Sequence, residues 1–439
     1  MKLLAMACAS LLSLAPLAAS AQQTLTQKER DAAIQSVEKL IQERYVFPAL
    51  RPAIVAALEK QRRTGRYDTD DARVFVDRIT EELRAAGKDR HLWMSVDPAG
   101  YAAALRSSPD DESGDDPYWR ERAVRNHHGL VEMRILPGNI RYLRIAEFAW
   151  VQDSTGQAYD EAVRFLKDGD AIIIDLRNNP GGSHGAVQYL VSHFLDPDVL
   201  EYTFFEGSKA LKQSRTVSYL PTGRIKDKPL YVLTSRGTGS AAEAFAYDVK
   251  QFKLGQLVGE NTAGAANNNA LLPVAPYFVL SVSFGRPEHA ISKANWEHDG
   301  VAPDVASAPM LALETAEKQA LDKLAGNPKA SEEQKRDYQW ALVGVQAALH
   351  PVQPDAAALA PFAGSYRRSG PNANAITVVQ RDGSLWITLP RWPESRLQPL
   401  TPDTFGVDGV ETLRVRLTGK TLEALWSDED KPRIYQREG

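Results

Sequence analysis

The period of the hydrophobic positions changes along the chain, and the changes mark its parts. From residue 24 to about 86 apolar residues recur at helical spacing: Ile34, Val37, Leu40 and Ile41, then Ile54, Ala57 and Leu58, then Val74, Val76, Ile79 and Leu83. Stretches 45–52 and 64–70, marked by Pro, Gly and Asp, interrupt them. This predicts a small helical subdomain that ends at Gly87-Lys-Asp-Arg-His-Leu-Trp93. Residues 107–116 are acidic and polar and predict an exposed loop.

From Leu130 the pattern alternates between strands and helices. Runs 130–136 and 140–145 flank Pro137-Gly138-Asn139 as a hairpin. Residues 159–166 are amphipathic. Run 171–175 is a buried strand, followed by a Gly-rich turn and a helical stretch at 187–194. The same strand, turn and helix recur over 230–249, with a further short strand at 257–260. Residues 269–274 and 278–284 form another hairpin around Pro276. This alternation predicts an α/β core from about 125 to 310. Helical spacing returns over 311–349 through Leu313, Ala316, Ala320, Leu321 and Leu324, then Trp340, Leu342 and Val345. Short strands at 376–379, 385–389, 412–417 and 422–426 with Gly or Asp turns predict a small all-β domain at the end. The expected organisation is a leader at 1–21, a helical subdomain at 22–110, an α/β core at 111–310, a helical linker at 311–355 and a β domain at 356–439.

Composition narrows the function classes. The 439 residues are 43% hydrophobic and 25% charged with a net charge of −4, as in ordinary soluble globular proteins. No Lys/Arg-rich tract stands out, so no nucleic-acid partner is expected. Met1-Lys2, an apolar run to Leu17 and Ala19-Ser20-Ala21 have the form of a cleavable secretory signal, which implies a periplasmic or secreted protein. The one cysteine, Cys8, lies in that leader. A mature chain without cysteine has neither disulfides nor a cysteine nucleophile. No later apolar run is long enough to span a membrane.

Three stretches carry candidate chemistry. In Thr234-Ser-Arg-Gly-Thr-Gly-Ser-Ala-Ala-Glu243, Ser240 falls at the start of a helix. First-turn N–H groups there have no helical partner. A serine so placed can attack a carbonyl, and the N–H of Ala241 can meet the oxyanion that forms. Ser240 with Glu243 is equally a capping box that only closes the helix. In Asp175-Leu-Arg-Asn-Asn-Pro-Gly-Gly182, two glycines follow a buried strand, where α/β sheets place their ligand crevices. The N–H of Gly181 or Gly182 is a second oxyanion donor, or the segment is a plain turn. In Asn295-Trp-Glu-His-Asp-Gly-Val-Ala-Pro-Asp304, Glu297, Asp299 and Asp304 offer carboxylates to orient a base, or the segment is a loop turning at Asp299-Gly300. Spacing does not choose the base among eight histidines. No His-Glu-x-x-His, phosphate loop or Gly-x-Ser-x-Gly elbow occurs, so neither a metal nor a cofactor is expected.

In order and separation, 175–182 (DLRNNPGG), 235–243 (SRGTGSAAE), 258–264 (VGENTAG) and 297–305 (EHDGVAPDV) resemble the serine peptidase family of C-terminal processing proteases, the tricorn core protease and the interphotoreceptor retinoid-binding protein. The resemblance covers about residues 24–310 and implies a crotonase/ClpP-like α/β core. It implies Ser240 as nucleophile, with an oxyanion hole from the N–H groups of Ala241 and of Gly181 or Gly182. The processing branch takes its lysine base from the motif that begins Gly-Glu, where this chain has Ala265. Lys250 and Lys253 stand nearer the serine but off the family spacing. The chain instead resembles the tricorn-like and retinoid-binding branch, which implies His91 (KDRHLW) as base and Glu297 (NWEHDG) as its orienting carboxylate. Residues 93–130 leave no room for the PDZ domain that many processing proteases insert. The expected activity is serine endopeptidase acting on peptides or unfolded chains. The alternatives are a non-catalytic binder of apolar ligands on the same fold and an esterase using the same triad.

Overall fold

A computed structural model describes residues 24–106, 117–369 and 374–438. The leader read at 1–21 and the acidic stretch 107–116 lie outside the described residues. The described residues divide into two compact units, one holding those up to 109 with 270–282, the other those of 110–269 with 283–439.

The first unit contains helices Gln27–Arg44, Arg51–Arg63, Ala72–Gly87 and Pro98–Arg106. Their starts are chemically specified. Thr26 and Glu29 form a reciprocal capping box, and the Asp71 carboxylate accepts the N–H groups of Arg73 and Val74. The apolar stripes predicted from spacing are the buried faces: Ile34, Val37 and Ile41, then Ile54 and Leu58, then Ile79 and Leu83. After Ala72–Gly87 the chain turns at Lys88, in left-handed conformation (φ 51°). It then enters the strand Trp93–Val96, which pairs antiparallel with Phe278–Ser281. Four residues are too few for alternation to show in sequence, and that strand was not predicted.

The second unit is built on a six-stranded sheet in the order Val305–Ala306, Gln256–Gly259, Leu230–Thr234, Ala171–Asp175, Ile140–Ile145, Leu130–Leu136. All neighbours are parallel except the last two, which form the predicted hairpin. Strands Ala171–Asp175 and Leu230–Thr234 are buried throughout, which is why they read as unbroken apolar runs. Helices Asp153–Lys167, His184–Ser192 and Ala241–Gln251 pack one face through residues such as Tyr159, Val187 and Phe245. Helices Ala312–Ala325 and Glu332–Leu349 pack the other, setting Ala316, Ala320 and Leu321 against Ile173, Tyr231 and Leu233. The unit is therefore a three-layer α/β sandwich, the architecture the alternating pattern predicts.

The predicted β domain is a closed eight-stranded antiparallel barrel running from Gly364–Arg367 to Arg433–Arg437. Ile376, Val378, Ile387, Leu397, Phe405 and Val415 fill its interior. It is anchored to helix Glu332–Leu349. The Arg414 guanidinium lies over the Trp340 ring at 3.9 Å and donates to the Trp340 carbonyl at 2.6 Å, while Trp340 Nε1 donates to Glu411 O.

Candidate active site

Strands Ala171–Asp175 and Leu230–Thr234 lie side by side with Asp175 opposite Leu233, so the loops that leave their carboxyl ends are neighbours. Side chains fix each loop. The Arg177 guanidinium grips Asp175 (Nη2–Oδ2 2.6 Å), which also accepts the Tyr142 hydroxyl at 2.8 Å. Thr238 Oγ1 donates to Leu176 O, Asn178 N donates to Ser235 Oγ, and Gly239 N donates to Asn179 O. Asn179, fully buried, ties the glycine turn down: its Nδ2 donates to Ile145 O and its Oδ1 accepts the N–H of Gly181, each at 2.9 Å.

These stitches bring Ser240, Ala241, Gly181 and Gly182 together. Ser240 sits at the N-terminus of helix Ala241–Gln251 with φ 50° and ψ −119°, a backbone conformation unfavourable for any side-chain-bearing residue. A Cβ on Gly181 would fall 2.7 Å from Ser240 Cβ and 2.9 Å from the Ala241 nitrogen, so only glycine lets the loops approach this closely. Gly182 (φ 133°) pairs with the strap that passes over it: Phe148 N donates to Gly181 O, and Ser183 N donates to Phe148 O. Of the two glycines the sequence leaves open, Gly181 has its N–H engaged by Asn179. The N–H groups of Gly182 and Ala241 have no hydrogen-bond partner among the described residues. Two unengaged N–H groups flanking a serine at a helix N-terminus are what an oxyanion requires.

Glu243 does more than close the helix. Its buried carboxylate accepts the Ser240 N–H at 2.8 Å, Thr262 Oγ1 at 2.6 Å, the Gly264 N–H at 2.6 Å and the Ala265 N–H at 2.9 Å. Burial pushes its pKa above the usual carboxylate range, and the four donors oppose that shift. Sequence gave only the Ser240 contact, because the other partners lie 19 to 22 residues away. Ala265, where the processing branch has its lysine, is 6% exposed. Lys250 is occupied elsewhere, donating to Ala302 O at 2.6 Å and pairing with Asp304 at 3.2 Å.

Glu297 Oε2 accepts the N–H groups of Ala266 (2.6 Å) and Asn267 (3.0 Å), which fix the carboxylate in the same unit as Ser240. Four histidines of that unit have structural partners: His128 with Thr155, His184 with Ser214, His193 with Asp160 and His289 with Asp248. Burial drives His184 down to about 3 and His289 to about 4. His298 is exposed, with Nδ1 3.9 Å from Glu297 Oε1. His91 belongs to the first unit, in the turn between Ala72–Gly87 and Trp93–Val96. It is 7% exposed, and its backbone is fixed by Asp89 Oδ1, which accepts its N–H at 2.8 Å, and by the Ser281 hydroxyl, which donates to its carbonyl at 2.5 Å. Burial lowers its pKa, Asp89 opposes that shift, and Arg84 reinforces it.

Residues 139–307 match the model of peptidase family S41. A carboxyl-terminal-processing protease of Synechocystis sp. is 29% identical over 189 residues, 40% of each chain. The carboxy-terminal processing protease CtpB of Bacillus subtilis is 25% identical over 179 residues, 40% of this chain and 35% of the relative. The matches thus span less than half of the length of these relatives. Among solved structures, the photosystem II D1 C-terminal processing protease aligns over 69% of this chain and 98% of its own at 16% identity, with a TM-score of 0.42. The tricorn protease aligns over 65% and 35% at 15% identity, with a TM-score of 0.41. The matched stretch contains Ser240, Ala241, Gly181, Gly182, Glu243 and Glu297 and begins after His91. No helix among the described residues is long and apolar enough to cross a membrane.

Proposed function

We propose that this chain is a serine endopeptidase that cleaves peptides or unfolded proteins through an acyl-enzyme on Ser240. The observation that carries the proposal is Ser240 itself, held in a strained conformation at a helix N-terminus between the unengaged N–H groups of Ala241 and Gly182. The hydroxyl caps Thr26, Ser183 and Ser331 start their helices from extended backbone, so capping by a hydroxyl does not require the φ of 50° that presents Ser240 from a sharp turn. In this reading His91 takes the Ser240 proton as Oγ attacks the scissile carbonyl. Ala241 and Gly182 hold the oxyanion, and His91 returns the proton to the leaving amine. Water then cleaves the ester by the same route in reverse, with Glu297 stabilising the imidazolium. Burial favours a neutral His91, the form a general base requires. The strap over Gly182 offers an edge for an extended substrate. The N–H and C=O of Ala149 have no backbone partner among the described residues, and half-buried Trp150 packs against Tyr189 at 5.7 Å beside them. The signal-like pattern of residues 1–21 supports a periplasmic or secreted location for the mature enzyme.

Fluorophosphonate labelling with peptide mapping tests this directly. A single adduct on Ser240, retained in His298→Ala and lost in His91→Ala, is the expected result. A folded protein that takes no label would leave Ser240 a helix cap and bring forward the reading as a binder of apolar ligands. Label retained in His91→Ala would remove His91 as base.

A further inference from the structure

The strand Leu130–Leu136 ends the six-stranded sheet, and among the described residues no strand lies beside its outer edge. Soluble proteins guard such edges with Lys, Pro or inward charges, because unpaired N–H and C=O groups recruit other strands. Neither Lys nor Pro occurs in this strand. Instead Val131, Met133 and Ile135 are 50%, 43% and 61% exposed, unusual for three large apolar residues in one short strand. The register places Met133 opposite Leu143 and Arg134 opposite Tyr142 on the inner neighbour, so Met133 and Arg134 face opposite sides of the sheet. Val131 stands at a bulge in that inner pairing, which leaves 131–135 as the segment open to a partner.

We propose that this edge pairs antiparallel with the same edge of a second copy, about a two-fold axis at Met133. The charges select both occupant and register. Glu132 and Arg134 form an ion pair at 2.9 Å, and the Arg134 guanidinium is held over the Tyr142 ring at 4.8 Å. With the axis at Met133, Glu132 of each copy opposes Arg134 of the other, and Val131 opposes Ile135. The sequence is its own complement. Moving the axis to Glu132 or to Arg134 sets like charges opposite each other, and moving it to a midpoint between residues sets a charge opposite an apolar side chain. Antiparallel pairing of two identical edges is the isologous contact that closes a dimer.

The experiment is sedimentation velocity with light scattering on the full chain and two charge variants. Wild type is expected at twice the monomer mass. Glu132→Arg makes the edge wholly basic and Arg134→Glu makes it wholly acidic, so each alone is expected to be monomeric. An equimolar mixture of the two is expected to return to the dimer mass, because each basic position then meets an acidic one. Recovery on mixing also shows that both variants are folded. Met133→Cys in a Cys8→Ser background is expected to form a disulfide-linked dimer on air oxidation, since opposed Cα atoms about 4.5–5.5 Å apart lie within disulfide range. A wild type that stays monomeric up to its solubility limit overturns the proposal. So does a dimer that persists in both single variants, or a mixture that fails to re-associate.

Discussion

The Glu243 carboxylate accepts the backbone N–H of Ser240 at 2.8 Å and, with the same two oxygens, holds Thr262, Gly264 and Ala265. Each oxygen faces two donors, so Glu243→Gln turns an amide NH2 toward N–H groups that need an acceptor. A buried donor left unmatched costs about 1–3 kcal/mol. Urea unfolding is therefore expected to show a loss of that size, together with a fall in hydrolysis as Ser240 loses its support. The comparison is Glu29→Gln, an exposed capping-box residue, for which a change below about 1 kcal/mol is expected. Equal losses at both positions would mean that Glu243 is only a cap.

The strain at Ser240 makes a second measurable difference. Its φ of 50° and ψ of −119° suit glycine and disfavour serine and alanine by about 1–3 kcal/mol. Glycine also frees the unfolded chain, which offsets about 0.4–1 kcal/mol. Ser240→Gly is thus expected to be about 1 kcal/mol more stable than Ser240→Ala, with both inactive. Equal unfolding free energies would remove the strain and with it the principal sign of a nucleophile.

Some of this site could be read directly from sequence. The serine motif, the glycine turn and the helix after each are local patterns, since a buried strand, glycines and a helix are neighbours in the chain. The groups that hold them are not. Asn179 engages Gly181, but nothing in Asn-Asn-Pro-Gly-Gly says which asparagine turns inward. Glu243 collects donors from a loop that only the parallel pairing of Leu230–Thr234 with Gln256–Gly259 brings near. The same limit applies to the barrel. Sequence shows strands such as Val410–Leu417 by alternation, yet Gly364–Arg367 and Thr404–Val407 are four residues each and leave too short a pattern to detect.

Gly182 gives a third test. A Cβ there would meet Phe148 O at 2.3 Å, and φ is 133°, so Gly182→Ala must displace the turn that presents its N–H. Loss of one oxyanion donor lowers kcat by about 10²–10³-fold. Steady-state kinetics are expected to show that fall with KM little changed. Gly156→Ala, inside a helix with 3.7 Å of clearance, is the control and is expected to leave kcat unaltered.

Lys250→Met tests whether a lysine serves as the base. This residue follows Ser240 by ten positions, about 15 Å along the helix at about 1.5 Å per residue. Its ammonium is held by Ala302 O and Asp304. Turnover is expected to be unchanged, and stability to fall by no more than about 1 kcal/mol, the range of a partly exposed ion pair. A fall in kcat of about 100-fold or more would identify a general base and reinstate a Ser–Lys mechanism.

The pH dependence of kcat/KM reports the base in the free enzyme. An isolated histidine titrates near 6.5. Burial lowers His91 from that value, Asp89 opposes the shift and Arg84 adds to it. In the proposed mechanism the neutral imidazole is the active form, so activity is expected to be full at neutral pH and to decline only below about 6.5. Asp89→Asn removes the group that raises the pKa and keeps an oxygen for the His91 N–H, so the acid limb is expected to move further down. The linkage to stability has the same sense. A histidine with a depressed folded pKa leaves stability unaffected above its unfolded pKa and reduces it as pH falls below, because the unfolded chain binds the proton more readily. The kinetics must therefore be read where circular dichroism shows an intact fold. An acid limb above 6.5, or one that Asp89→Asn leaves in place while the fold persists, would take the role of base away from His91.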